Sequence, residues 1–252
     1  MKIVADENLA FTDYFFSEFA DIRHCPGRSL MAQDVQDADA LLVRSVTQVN
    51  EALLQNSSIK FVGSATIGTD HLDIAALEQH GIQWSNAAGC NAQAVAEYVI
   101  TALLHVRPEL VDANATFSLG IVGLGNVGTR LAYMAKLLGW RVIGYDPLVQ
   151  RAQVDQVEFN ELLQQADAIS IHVPLTQTGL YPTYHLFNTA TLAQMQPDAI
   201  LINSARGPVI EEAALIQDLK ATQRTVILDV FEHEPVISAE LLDLLTLVTP
   251  HI

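Results

Sequence analysis

Short runs of β-branched and apolar residues alternate along the chain with longer stretches in which apolar positions recur every three or four residues. A continuous apolar run of four or five residues reads as a strand buried on both faces, and the longer spacing reads as a helix with one face on a core. Repeated in this order, the two patterns predict an α/β protein with parallel sheets. In the first part they predict strands at 2–6, 40–44 and 60–63, a weaker one at 82–85, and amphipathic helical segments at 11–19 and 72–79. A helical stretch at 91–106, rich in Ala, Leu, Val and Ile, follows. After Pro108 a second series begins: strand 118–122, a glycine loop, helix 127–138, then strands at 141–145, 168–172, 199–203, 226–229 and 247–249. No repeat, low-complexity segment or flexible linker divides the two series. The join is therefore placed in the 91–106 helix, between a first domain at 1–93 and a second at 94–252, with a cleft between them.

Composition narrows this picture. At 252 residues, 50% of them hydrophobic, the chain holds enough apolar material for one to two packed domains, and wholesale disorder is excluded. Its net charge is −16, with −7 on residues 1–93 and −9 on 94–252, so no acidic tail accounts for it. A basic nucleic-acid face is excluded as a reading, because phosphate-backbone binding draws on clustered Lys and Arg. An anionic substrate would need a few well-placed cations against this background. Cys25 and Cys90 cannot build a disulfide framework, and their spacing matches no metal motif. No apolar run reaches the roughly 18–20 residues that span a bilayer, and MKIVADENLAF places acids where a signal peptide needs apolar residues. A cytoplasmic protein with no membrane partner is expected.

The strongest chemical signal is Gly123-Leu124-Gly125-Asn126-Val127-Gly128, a G-x-G-x-x-G that follows the apolar strand SLGIV and opens the helix VGTRLAYMAKLLG. Gly123 permits the tight turn, Gly125 lets a pyrophosphate approach the backbone, and Gly128 lets helix and strand pack closely. The pyrophosphate then rests on the helix N-terminus, so Asn126 and Val127 join the cofactor-binding candidates. Asp146, eighteen residues beyond Gly128 at the end of the next strand, can accept hydrogen bonds from the adenosine ribose. It would repel a 2′-phosphate, and no Lys or Arg follows before Arg151, so NAD is favoured over NADP. The alternative for Asp146 is a turn residue before Pro147. No P-loop motif is present.

Three later strand ends carry polar groups where open α/β sheets bind ligands. Strand 199–203 leads into Ser204-Ala205-Arg206-Gly207-Pro208, strand 226–229 into Val230-Phe231-Glu232-His233-Glu234-Pro235, and strand 247–249 into Pro250-His251. Arg206 offers a planar fork of donors for a carboxylate. His251 is a candidate base because its ordinary pKa lies near neutrality, and Glu234 is the carboxylate that would orient it. Each has a plainer alternative: a surface ion pair for Arg206, a solvated loop acid for Glu234, a turn residue for His251. Their placement on consecutive strand ends of one sheet favours the chemical reading.

VGLGNVG with YDP, LINSARGPVI, LDVFEHEP and TPHI, in this order, resemble the D-isomer-specific 2-hydroxyacid dehydrogenase family over essentially the whole chain. The resemblance implies hydride transfer between a hydroxy acid and NAD, in a Rossmann NAD-binding domain joined to a flavodoxin-like substrate domain. It implies that Arg206 binds the substrate carboxylate and carbonyl, and that Glu234 partners His251, the proton donor or acceptor. It also places Asp229 near the nicotinamide carboxamide, and Val173-Pro174 and Ser204-Ala205 along the cofactor. In the N-terminal half ADEN, LLVRSVTQVN, FVGSATIGTDHLD and AAGCNAQAVAEYV are similar to the branch of that family acting on a small phosphorylated hydroxy acid. This carries substrate contacts onto Ser45 and Thr66, small hydroxyls after strands 40–44 and 60–63. Arg44 is a weaker anion-binding candidate, with a scaffold ion pair as its alternative.

Two features depart from the family pattern. Val173 stands where a threonine is common. Relatives also continue past the histidine through glycines, a substrate-binding tyrosine, a returning helix and a C-terminal dimerisation domain. The chain is accordingly expected to be a fragment, homodimeric in its full-length form. Alternatives are a dehydrogenase for phosphoglycerate or glyoxylate and hydroxypyruvate, and a non-catalytic NAD-sensing protein on the same scaffold. No metal site is expected: Asp70, His71 and Asp73 read as a loop and helix cap. Cys90 reads as a small buried residue at a helix start, and His172 as packing at a strand end.

Overall fold

In the computed structural model, which describes residues 1–112, 115–222 and 224–251, the two series form two separate parallel sheets. They belong to two compact units, Met1–Cys90 and Asn91–Ile252. The division falls just before the helix predicted at 91–106, which lies whole within the second unit.

The first unit holds β1 (Lys2–Asp6), β2 (Asp21–Cys25), β3 (Ala40–Val43), β4 (Phe61–Ser64) and β5 (Gln83–Asn86), in the order β2-β1-β3-β4-β5. This is the flavodoxin-like strand order. Its helices are short: α1 (Thr12–Phe16), α2 (Ala32–Val35), α3 (Glu51–Leu54) and α4 (Ile74–Gln79). Val4, Leu41, Val43 and Val62 bury one face against Leu53, Leu54 and Leu77. Asn50 caps α3 by accepting the Leu53 N–H (3.1 Å), and Asp73 caps α4 by accepting that of Ala76 (3.0 Å). Asp73 is thus the helix cap that its sequence suggested.

In the first unit β2 and the segment at 11–19 depart from the pattern's prediction. β2 was not legible, because DIRHC pairs only with β1 at the sheet edge and its residues are exposed or half-buried. The amphipathic segment at 11–19 shrinks to α1. Phe11 takes a left-handed conformation (φ 62°) that blocks extension of the helix toward the N-terminus, and Phe11, Tyr14, Phe15 and Phe19 remain exposed.

The second unit begins with α5 (Ala92–Val106), then β6 (Ser118–Val122), α6 (Asn126–Leu137), β7 (Arg141–Tyr145), β8 (Asp155–Gln156), α7 (Phe159–Gln165) and β9 (Ala168–Ile171). It continues with α8 (Thr189–Leu192), β10 (Ile200–Asn203), α9 (Glu212–Thr222), β11 (Val226–Leu228), α10 (Ala239–Leu244) and β12 (Leu247–Val248). The strands run β12-β11-β10-β9-β6-β7-β8, the Rossmann order with a seventh strand added at one edge. Every residue of β6, β9 and β10 is buried. The cause is visible in the packing: α5 and α6 cover Leu119, Ile121, Ile202 and Ile227 on one face. α7, α9 and Phe187 cover Val122, Ile143, Ile169, Leu201 and Val226 on the other. No helix among the described residues is long and apolar enough to cross a membrane.

Arg224, just before β11, is an exception to the apolar interior. It is buried, and its Nε donates to Asp218 Oδ2 of α9 (2.9 Å) while Nη1 and Nη2 donate to the carbonyls of Gln196 (2.5 Å) and Leu192 (3.3 Å). Removing one member of such a buried pair strands the rest without partners. Arg224→Ala is expected to lower stability by roughly 3–5 kcal/mol, read from the urea unfolding midpoint.

Candidate active site

The predicted cofactor loop leaves β6 through Gly123, whose backbone is in the left-handed region (φ 96°) and whose N–H donates to Tyr145 O (2.9 Å). A Cβ on Gly123 would stand 2.4 Å from the carbonyl oxygen of His172, and one on Gly128 would stand 2.0 Å from Gly123 O. The protein itself therefore forces these two glycines. Gly125 is different: nothing lies within 4 Å of where its Cβ would be, although it immediately precedes α6. Open space beside the free N–H groups of Asn126, Val127 and Gly128 suits a pyrophosphate, so the residues present fit NAD.

Asp146 follows β7, and both of its sequence readings hold at once. Oδ1 accepts the N–H groups of Leu148 (2.9 Å) and Val149 (3.1 Å), which is the turn role, while Oδ2 accepts that of Leu124 in the glycine loop (2.8 Å). A carboxylate offers about four acceptor positions, so about one remains, on Oδ2, for a ribose hydroxyl. Arg151 Nε donates to Leu124 O (3.1 Å), tying the next loop to the same peptide.

At the end of β9, Val173 lies against the glycine loop, its Cγ1 2.9 Å from the position a Gly123 Cβ would take. His172 donates its N–H to Val122 O (2.7 Å), and its Nε2 meets the buried Ser170 Oγ at 2.8 Å. Burial pushes its imidazole down to about 3, which keeps the ring neutral. Strand-end packing, as the sequence suggested, is what His172 does.

The loop after β10 is braced by a residue that the sequence reading missed. Asn203, buried at the end of the strand, accepts the Ala205 N–H through Oδ1 (3.0 Å) and donates from Nδ2 to Arg206 O (2.9 Å). The available signal was an amide closing an otherwise apolar strand, since a buried side-chain amide needs partners. Arg206 is half-buried and its Nη1 donates to Ala205 O (2.8 Å). Ser204 Oγ is buried with no hydrogen-bond partner among the described residues, which fits a loop whose contacts a cofactor completes. Gly207 follows, where a Cβ would stand 1.9 Å from Phe231 O. Only glycine lets the Arg206 loop lie against the loop after β11.

That second loop places Glu234. Its Oε1 accepts the Phe231 N–H (2.9 Å) and its Oε2 faces His251 Nδ1 at 3.2 Å. Glu234 is thus no free loop acid, and His251, exposed after β12, is the residue it meets. Asp229, buried at the end of β11, accepts from Thr249 Oγ1 (2.6 Å), and that oxygen lies 2.8 Å from the hydroxyl of Tyr98 on α5. Neither Thr249 nor Tyr98 was singled out from sequence.

In the first unit Ser45 follows β3, with Arg44 beside it, and both are half-buried. Thr66 follows β4, and its Oγ1 lies 2.8 Å from Ser64 Oγ, which in turn lies 2.9 Å from Nε2 of the buried His71. Cys90 corrects its expectation: it is exposed, because it sits in the turn before α5 and not in the packed first turn of the helix.

A Rossmann sheet whose strand ends carry a dinucleotide loop, an arginine and a histidine–glutamate pair defines the NAD-dependent dehydrogenases of small hydroxy acids. Residues 108–252 match the family model described as D-isomer specific 2-hydroxyacid dehydrogenase, NAD binding domain, and the chain belongs to that family. NAD is its cofactor and it is an NAD-dependent 2-hydroxyacid dehydrogenase. The chain is 70% identical over 252 residues to erythronate-4-phosphate dehydrogenase of Acinetobacter baumannii (strain AYE), a match covering 100% of this chain and 71% of that relative. The enzyme of the same name from Acinetobacter baylyi is 67% identical, with the same coverage. Among solved structures, a glyoxylate reductase from Paecilomyes thermophila superposes with a TM-score of 0.83 at 24% identity, covering 100% of this chain and 88% of that one. D-lactate dehydrogenase from Aquifex aeolicus, complexed with NAD and lactic acid, superposes at 0.81 with 21% identity and the same coverage.

The glycines separate fold from cofactor. Gly128→Ala should cost about 1–3 kcal/mol of stability in urea unfolding, because the backbone must move to admit the methyl. Gly125→Ala should leave the unfolding midpoint in place and weaken NAD binding measured by calorimetry.

His172 sets a pH dependence. Its pKa is lowered from 6.5 in the free side chain to about 3 in the fold, so below 6.5 the unfolded chain takes up a proton that the folded one does not. Its contribution is present above 6.5 and is lost as pH falls toward 3. Between pH 7 and pH 5 the wild type should lose about 2 kcal/mol of unfolding free energy that a His172→Asn variant does not lose.

Proposed function

We propose that this chain oxidises 4-phospho-D-erythronate at C2, giving (R)-3-hydroxy-2-oxo-4-phosphooxybutanoate, in the biosynthesis of pyridoxal 5′-phosphate. The observation that carries the chemistry is the 3.2 Å approach of His251 Nδ1 to Glu234 Oε2 at the carboxyl end of the Rossmann sheet. The substrate rests on the 70% identity, over the whole chain, to relatives named for erythronate 4-phosphate.

Glu234 holds the imidazole through Nδ1, which leaves Nε2 as the atom that takes the C2 hydroxyl proton. The carboxylate then balances the imidazolium charge that forms. Arg206, on a loop fixed by Asn203 and Gly207, grips the substrate carboxylate and aligns the adjacent carbonyl as it develops. Ser45 and Thr66 offer hydroxyls to the hydroxyl or phosphate end, and Arg44 offers a cation. When bound, NAD supplies the acceptor for the C2 hydride. Gly123 to Gly128 and Asp146 hold its pyrophosphate and ribose, Val173, Ser204 and Ala205 flank it, and Asp229 addresses the nicotinamide end. Two unpaired thiols, Cys25 and Cys90, suit a reducing cytoplasm, and the family resemblance supports a homodimer.

The test is a substrate panel with purified protein and NAD. Turnover of 4-phosphoerythronate should exceed that of phosphoglycerate and of unphosphorylated hydroxy acids. Arg206→Ala should lower kcat/KM by about two orders of magnitude, the loss of roughly 3 kcal/mol expected when one partner of a desolvated ion pair is removed. Preference for an unphosphorylated acid would overturn the substrate, and NAD binding without oxidation of any hydroxy acid would overturn the enzyme.

A further inference from the structure

We infer that Tyr98 is a positioning residue for the active site, its phenol acting through Thr249 to fix both Asp229 and the segment that carries His251. The inference deepens the proposed function and rests on its reading of Asp229 and His251. Tyr98 lies on α5, not on a strand end, and its hydroxyl reaches Thr249 Oγ1 at 2.8 Å across 151 residues of sequence. Thr249 Oγ1 in turn donates to Asp229 Oδ1 at 2.6 Å.

The direction of this chain follows from proton counting. A threonine hydroxyl carries one proton, and beside a carboxylate that proton goes to the carboxylate. Thr249 Oγ1 can therefore meet Tyr98 only as an acceptor, so Tyr98 donates to Thr249 and Thr249 to Asp229. Only the neutral phenol can serve. Burial raises the pKa of Tyr98, the hydrogen bond with Thr249 opposes this in part, and the Asp229 charge adds to it, so the phenol stays protonated at neutral pH.

Residue 249 is also where His251 is anchored. β12 is only two residues long and lies at the sheet edge, so it holds the following segment weakly. Thr249 N–H donates to Leu228 O (3.0 Å), and with the side-chain bond to Asp229 this gives residue 249 two attachments to β11. His251 stands two residues on, its backbone in the left-handed region (φ 58°), and meets Glu234 from there. Asp229 also donates its backbone N–H to Asn203 O (3.0 Å), so the end of β10, the start of the β11 loop and the β12 segment meet at this one residue. A tie from α5 to the sheet for stability alone needs only apolar contact, as the rest of that helix shows. A phenol hydroxyl aimed at a side chain that links Asp229 to the His251 segment has a directional role instead.

The experiment is a cycle of Tyr98→Phe, Thr249→Val and the double variant, read by NAD dissociation constant in calorimetry, by kcat and KM, and by Tm. Tyr98→Phe should raise the NAD Kd and lower kcat by about threefold to tenfold, the range of one hydrogen bond, with the hydroxy-acid KM and the Tm nearly unchanged. Thr249→Val should do more, Thr249→Ser should restore wild-type NAD binding, and the double variant should match Thr249→Val, since Tyr98 acts only through that hydroxyl. Wild-type Kd and kcat in Tyr98→Phe, or effects that simply multiply in the double variant, would overturn the inference. The Kd arm needs no turnover. If His251→Gln kept full turnover, the reading of His251 as base would fail while the Kd cycle still decided the Tyr98–Thr249–Asp229 chain.

Discussion

Everything chemical in the second unit follows from one constraint: its sheet is sealed on both faces. With helices over each side, strands such as SLGIV and ILIN have no polar exit along their length, and an unpaired polar group inside would be costly. Polar chemistry is thereby driven to the carboxyl ends, where successive strands deliver Gly123, Asp146, Val173, Arg206, Asp229 and His251 to one edge of the sheet. The ends converge only because backbone approaches backbone there. Gly123 lies against the end of β9 and Gly207 against the loop after β11, each too close to admit a Cβ. These contacts make a row of loops into one surface.

What the sequence made legible follows the same division. The strands buried on both faces carried an unbroken apolar signal, and β1, β6 and β7 have the bounds that pattern implied. β2 carried none, since an edge strand with exposed residues needs no apolar run, and DIRHC takes its place through pairing with β1 alone. At the site, residues with chemistry of their own were legible: an arginine beside a glycine, a histidine after a proline, an aspartate ending a strand. Residues that act through others were not. Asn203, Thr249 and Tyr98 announce nothing by type, and their partners lie 2 to 151 residues away. Asp146 shows a further limit, because the turn and cofactor readings offered as alternatives use different oxygens of one carboxylate.

Charge allocation explains how so acidic a chain handles anions. Against 29 Asp and Glu, several of the 13 Lys and Arg face an acid close by. Lys2 pairs with Asp37, Arg107 with Glu109, Lys220 with Glu240 and Arg224 with Asp218. The three exposed pairs add little stability, the buried Arg224–Asp218 pair adds more, and all four remove those cations from competition for a ligand. Arg206 sits on a braced loop at a strand end. Its loop is fixed by an amide and a glycine, and its Nη1 donates to the carbonyl of Ala205. An acidic surface around a fixed guanidinium favours a substrate that presents its carboxylate in that geometry over anions at large.

The loop Glu232-His233-Glu234 holds two acids, and geometry alone assigns them different work. Glu232 has both oxygens engaged: Oε1 meets His185 Nε2 at 2.5 Å, and Oε2 accepts the Glu212 N–H at the start of α9 (2.8 Å). Burial would raise its pKa, but the hydrogen bond from His185 and that from Glu212 outweigh it and hold it below the ordinary value. His185 is stacked on Tyr184 with ring centroids 3.9 Å apart, so this histidine–glutamate pair is locked into the scaffold. Glu234 spends one oxygen on the Phe231 N–H and turns the other toward His251, whose ring is exposed. Two residues apart, the same pair of side-chain types thus builds a brace and a candidate proton relay. The difference lies in what the imidazole meets: the Tyr184 ring in one case, and solvent or substrate in the other. A base must exchange its proton with something that arrives and leaves, and the more exposed pair at His251 is placed for that exchange.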